Sequence, residues 1–172
     1  MVHSIARGCA AGAAGATALN AMTYADMALR GRSPSSAPES VVDRATEKAG
    51  HPVPDSDGRD NRLTGLGALS GIAVGVGTGV AVSLIHRAGV RAPLWLGGSV
   101  TGALAMVLTD APIAGLGVSD PRTWSAADWT ADALPHLVYG LVTYGMIASG
   151  DRHRRAPRRP AVKGSAPGWP SW

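Results

Sequence analysis

The chain has 172 residues, 16 basic and 12 acidic side chains, one cysteine and no phenylalanine. The length fits one domain, and the lone Cys9 excludes an internal disulfide and any Cys/His metal spacing. The apolar mass is Ala, Gly, Val and Leu, whereas a soluble core of this size is normally filled by larger side chains.

Four apolar segments stand out, and the reading they support is an all-α, polytopic membrane protein: a bundle of four transmembrane helices packed through small residues. The first runs from about residue 5 to 29 and needs Asn20 to reach the roughly 20 residues of a span. Its rival is a cleaved signal peptide with Arg7 as the charged end. The Ala/Gly-rich run is only feebly hydrophobic, however, and no small-x-small site precedes a polar start. Gly8, Gly12 and Ala16 lie four apart, and Asn20 and Tyr24 continue that stripe.

Residues 30–62 read as an extracytoplasmic loop. Ser36-Ala-Pro-Glu39 is a helix-start box with proline in the first turn. Val41, Val42, Ala45 and Ala49 then form a thin apolar stripe that Gly50 and Pro52 stop. A short amphipathic helix over about 37–49 is predicted, lying on the membrane or capping the bundle. Pro54 to Asp60 reads as a turn. Its acidic spacing lacks the terminal glutamate of a calcium loop.

The second span, about 63–85, carries a glycine zipper: Gly67, Gly71, Gly75 and Gly79. In water each would cost a helix about 1 kcal/mol against alanine. In hydrocarbon the helix is enforced, and bare backbone lets a neighbour approach closely. The third span, about 94–118, has Gly98 and Gly102, with Pro112 expected to bend or end it. The fourth, about 125–149, opens on the box Ser125-Ala-Ala-Asp128, has Pro135 as a potential kink, and carries Gly140. Trp95, Trp124 and Trp129 sit at segment ends, where an interfacial belt places them.

Residues 150–172 form a basic tail, read as disordered and cytoplasmic; it contains Arg152, Arg154, Arg155, Arg158, Arg159 and Lys163. With four spans, this tail, the link bearing Arg87 and Arg91, and the N-terminus share one side. The positive-inside rule makes that side cytoplasmic, although Arg30 and Arg32 follow the first span on the other. The location expected is therefore the cell membrane, with lipid as the partner. A homo-oligomer through the glycine stripes competes with packing inside one chain. Nucleic acid is not expected, because no aromatic residues interleave the arginines.

The polar residues at membrane depth form the candidate site: Asp110, His136, Asn20 and Asp132. Asp110 lies about 24 Å along its span at 1.5 Å per residue. Asp128, Asp132 and His136 are four apart and share one face. A mid-span aspartate costs about 2.5–3.5 kcal/mol to insert and normally finds a partner. Asp110 with His136 is the expected pair, Asn20 a third member and Asp132 interfacial; Asp26, about 120° off the Asn20 stripe, is expected to be solvated. A proton relay, a metal site and a catalytic pair would each suit such groups, as would simple mutual capping of helix ends. No metal site is assigned, no catalytic signature is present and no cofactor is expected. Gly65-Leu-Gly67 breaks the dinucleotide spacing at Ser70.

The stretches LGVSDPRTWSAADWTADALPHLVYG, Leu116 to Gly140, and ALNAMTYADMALRGRSPSSAPE, Ala18 to Glu39, resemble small integral membrane proteins of high-GC actinobacteria. Helix count and glycine content also resemble, more distantly, the YagU-type inner-membrane family. Both resemblances imply a helical membrane fold, and neither implies a functional residue. The function expected is a non-enzymatic structural or accessory membrane component. The alternative is a small transporter or proton-handling subunit using Asp110 and His136, and the third is an intramembrane enzyme.

Overall fold

The computed structural model describes the backbone of residues 1–155 and the side chains of residues 1–150. The basic tail falls almost wholly outside the described residues. The described chain is all-α: α1 (Val2–Arg30), α2 (Ala37–Lys48), α3 (Arg59–Arg87), α4 (Leu94–Gly115), a 3-10 turn (Pro121–Thr123) and α5 (Ala126–Arg155). No strand occurs among the described residues.

Local chemistry explains several boundaries. Ser125 and Asp128 close the expected capping box: Asp128 N donates to Ser125 Oγ at 3.2 Å and Ser125 N to Asp128 Oδ2 at 2.9 Å. The box at α2 differs. Ser36 makes no side-chain cap, and Ser35 Oγ accepts from Ala37 N instead, at 3.2 Å. The stop at Gly50 is as expected. With φ +74° it accepts a left-handed turn, and His51 N reaches back to Thr46 O while Gly50 N reaches Glu47 O, the paired bonds of a Schellman end. Pro112 does not break α4, which continues to Gly115, and α5 runs on through Pro135.

The long helices pack as antiparallel neighbours in the order α3, α1, α5, α4. Where α1 meets α3, a Cβ on Gly12 would lie 2.5 Å from Gly75 O, and one on Gly79 would lie 2.5 Å from Gly8 O. The backbones are in contact, so glycine is required at those sites. Where α4 meets α5, Gly98 faces Leu141, Gly102 faces the His136 carbonyl, and Gly140 faces Gly98 and Gly102. These approaches all lie within one chain.

The zipper departs from expectation at one place, because Gly71 faces open space. A four-residue step advances 400°, so each step drifts 40° and four glycines spread over about 120°. Gly67 meets Pro38 and Glu39 of α2, Gly75 and Gly79 meet α1, and Gly71 falls between the two contacts. Two glycines outside the predicted stripes do pack. Gly15 lies against Tyr139 and Thr143, and Gly97 against the Tyr144 ring.

The core is small and polar-edged. Tyr139, Ile147, Thr101 and Thr143 are its largest fully buried side chains. Tyr144 exchanges two bonds with Ala92, donating to its carbonyl at 3.0 Å and accepting from its N–H at 2.8 Å, and so pins the link between α3 and α4. α2 packs across the start of α3 and buries none of its own residues.

Candidate functional site: a charged cavity at the α2 end

The antiparallel packing gathers the C-terminal ends of α1 and α4, the N-terminal end of α5, and α2 at one end of the bundle. They line an open cavity of about 580 Å³. Its inner wall is Asp110 of α4 with Asp132 and His136 of α5; its rim includes Arg30 and Arg32 from the end of α1.

His136 is 8 % exposed. Its Nδ1 lies 2.9 Å from the Asp132 carbonyl oxygen and 3.2 Å from Asp132 Oδ1, and its Nε2 lies 3.4 Å from Thr109 Oγ1. The ring thus bridges α5 to α4. Side chains on a helix lean toward its N-terminus, which aims His136 into the cavity. Asp110 adjoins the Asp132 carboxyl and the Thr109 hydroxyl and lies within Coulombic range of His136. Asp132 Oδ2 is buried, with no hydrogen-bond partner among the described residues.

Three of the four expected site residues are therefore brought together, with a change of partner. The direct carboxylate partner of His136 is Asp132, one turn back on the same helix, and Asp110 joins through Asp132 and Thr109. Asp132, expected to be interfacial, has a side chain 26 % exposed and forms part of that wall. Asn20 is exposed and does not line the cavity; Leu19 and Thr23 do. Successive helix positions turn 100°, so a cavity facing positions 19 and 23 turns residue 20 outward.

The rim is held by a residue expected to be solvated. Asp26 accepts from Arg30 Nε at 3.2 Å and pairs tightly with Arg32 Nε. Gly31, at φ +63°, reverses the chain so that Arg32 returns to Asp26. In the loop after α4, Asp120 takes a bidentate grip from Arg122, at 3.0 Å to Nε and 2.9 Å to Nη2. That guanidinium holds the Asp120 carboxyl below its ordinary pKa. Trp124 closes the same loop through Ser119 Oγ at 2.9 Å and lies against Trp129.

Among the described residues no three His, Cys, Asp or Glu side chains converge as a metal site would need. The opposite end of the bundle holds a smaller cavity of about 220 Å³ lined by His3, Arg7, His86, Arg87 and Arg91. No protein-family model, curated protein or solved structure matches the chain, so no residue role transfers from outside and the site is read from its own geometry.

Proposed function

We propose that this chain is a four-span integral membrane protein with a non-enzymatic role, oriented with its N-terminus and the α3–α4 link in the cytoplasm. One observation carries the membrane reading. α3 and α4 are long and apolar enough to cross a bilayer, yet only 28 % of each apolar window is buried. A core helix of a soluble protein would be mostly buried. Here Leu66, Leu69 and Ile72 of α3 and Val100, Leu104 and Val107 of α4 point outward, an apolar surface suited to lipid. α1 and α5, of 29 and 30 residues, are long enough to accompany them. Their backbone contacts with α3 and α4 would carry them across. The basic cavity at the N-terminal end supports the orientation through the positive-inside rule.

A second reading, a solute- or proton-handling subunit, is favoured by the wall of Asp110, Asp132 and His136. Intramembrane ionisable groups facing a cavity are characteristic of such proteins.

Two measurements test the proposal. The full chain should stay with membranes through alkaline carbonate extraction. In a Cys9→Ser background, Ser119→Cys should label with an impermeant maleimide in intact cells, and Ala88→Cys only after permeabilisation. Both positions are exposed, at opposite ends of the bundle. Extraction into the soluble fraction overturns the membrane reading, and the reverse labelling pattern overturns the orientation.

A further inference from the structure

The cavity separates its charges. At the rim, Asp26 engages Arg30 and Arg32 through their Nε atoms, and Asp128, its carboxylate held by Ser125, lies within Coulombic range of Arg30. The terminal nitrogens of the two arginines are the ones whose fork geometry suits phosphate or carboxylate oxygens. Arg32 spends one of them on the Ser33 carbonyl at 3.3 Å. The inner wall carries no such cations: Asp110 and Asp132 face the single imidazole of His136.

The inner wall is also incomplete. Asp132 Oδ1 is bonded by His136, while Asp132 Oδ2 is buried and lacks a donor among the described residues. A buried carboxylate oxygen without a donor is costly. An ammonium brings three donors, enough for Oδ2 and for Asp110 together. A simple anion would meet two aspartates and a simple cation two arginines. A molecule bearing both charges meets each with its complement, and about 580 Å³ is ample for a small one.

We propose that this cavity binds a small zwitterion, its anionic oxygens on Arg30 and Arg32 and its ammonium between Asp110 and Asp132. The inference rests on reading the cavity as a binding site of the membrane-embedded bundle. Two sources share the chemistry: a free amino-phosphate or amino-acid solute, and the headgroup of an ethanolamine phospholipid.

The test uses the full-length protein purified in detergent, with thermal stabilisation and calorimetry as readouts. The probes are O-phosphoethanolamine, inorganic phosphate and ethanolamine. O-phosphoethanolamine should bind at least tenfold tighter than either half-molecule. Arg30→Gln and Asp110→Asn should each weaken it about tenfold, with the unliganded melting temperature of each variant reporting its folding. In nanodiscs, a higher melting temperature with phosphatidylethanolamine than with phosphatidylglycerol, without binding of the soluble probe, assigns the site to the lipid headgroup and supports the proposal. Equal binding of O-phosphoethanolamine and either half-molecule overturns it. So does the absence of any response to soluble probe and lipid alike, which would leave a proton shared by Asp110 and Asp132 as the answer to the unpartnered oxygen. The wild-type comparison of whole and half probes decides the matter even if a variant fails to fold. Carbonate extraction reports separately on the membrane reading, so the two can fail independently.

Discussion

The Tyr139 hydroxyl of α5 donates to the Gly75 carbonyl of α3 at 2.6 Å, across 64 residues of sequence. The ring reaches that carbonyl by passing Gly15 of α1, where any Cβ would meet Tyr139 and Thr143. One side chain therefore ties three helices together, and the carbonyl it uses is left open on the α1 side by Gly12, whose Cβ would lie 2.5 Å from it. Tyr139 is 1 % exposed, so its hydroxyl could not turn to solvent if the bond were lost.

Tyr139→Phe keeps the ring and removes the bond. Helix–helix hydrogen bonds of this kind are worth about 0.6–1.5 kcal/mol. The variant should lose stability in that range in denaturant titration of the detergent-solubilised protein. Tyr139→Ala, which also leaves a cavity, should lose about 3–5 kcal/mol.

The glycines of α3 should divide sharply under alanine substitution. Gly79→Ala places a Cβ 2.5 Å from Gly8 O and 2.7 Å from Gly12 Cα, both backbone atoms that cannot swing aside. The helices must separate, at a cost of about 1–3 kcal/mol or more. Gly71→Ala meets nothing within 4 Å and gains helix propensity, so its stability should be unchanged or higher by up to about 1 kcal/mol. The same unfolding titration separates the two. A loss at Gly71 as large as at Gly79 would mean that Gly71 contacts a second copy of the chain.

These contrasts mark how far the sequence could be read. The helix positions were legible because their signals are local: the Ser125–Asp128 box, the Gly50 stop, and the apolar runs of α3 and α4. Residues spaced four apart on one helix, such as Asp132 and His136, were legible for the same reason. Contacts between helices were less so. A four-residue glycine repeat does not say where a neighbouring helix ends, which is why Gly71 reads like Gly75. Gly15 and Gly97 lie one residue off the expected stripes, yet each admits a tyrosine ring. Tyr139 and Tyr144 carry no spacing signal, and only the hydroxyl of an aromatic inside an apolar run hinted at a buried acceptor. The rim of the cavity depends on the left-handed turn at Gly31, which brings Arg32 back beside Asp26.

His136 and Thr109 should contribute unequally. The ring is nearly buried and bonded to Asp132, whereas its contact with Thr109 is 3.4 Å, and Thr109 Oγ1 also donates to Met106 O at 2.9 Å. His136→Ala removes packing and bonds together and should destabilise by about 2–4 kcal/mol. Thr109→Val keeps the shape and should cost under about 1 kcal/mol. Chemical unfolding measures both. An equal loss would show that the contact between the two side chains, and not the packing of the ring, joins α4 to α5.

The loop after α4 should respond to acid in a window set by Asp120. Its carboxyl is held below the ordinary value by the Arg122 guanidinium, with the Arg122 N–H adding a further bond. A lowered folded pKa means that the ionised form favours the ordered loop. That preference is complete above the ordinary aspartate pKa of about 4 and disappears as pH falls through the lower folded value. Because Asp120 and Arg122 face solvent, the effect should be local. The reporter is Trp124, whose indole N–H is held by Ser119 in the same loop. In protein labelled with 5-fluorotryptophan, the Trp124 resonance, assigned with Trp124→Phe, should be constant from about pH 8 to 5 and should move only below about pH 4. Asp120→Asn should shift it toward the acid position at neutral pH. A transition centred above about pH 5 would exclude Asp120 as the titrating group.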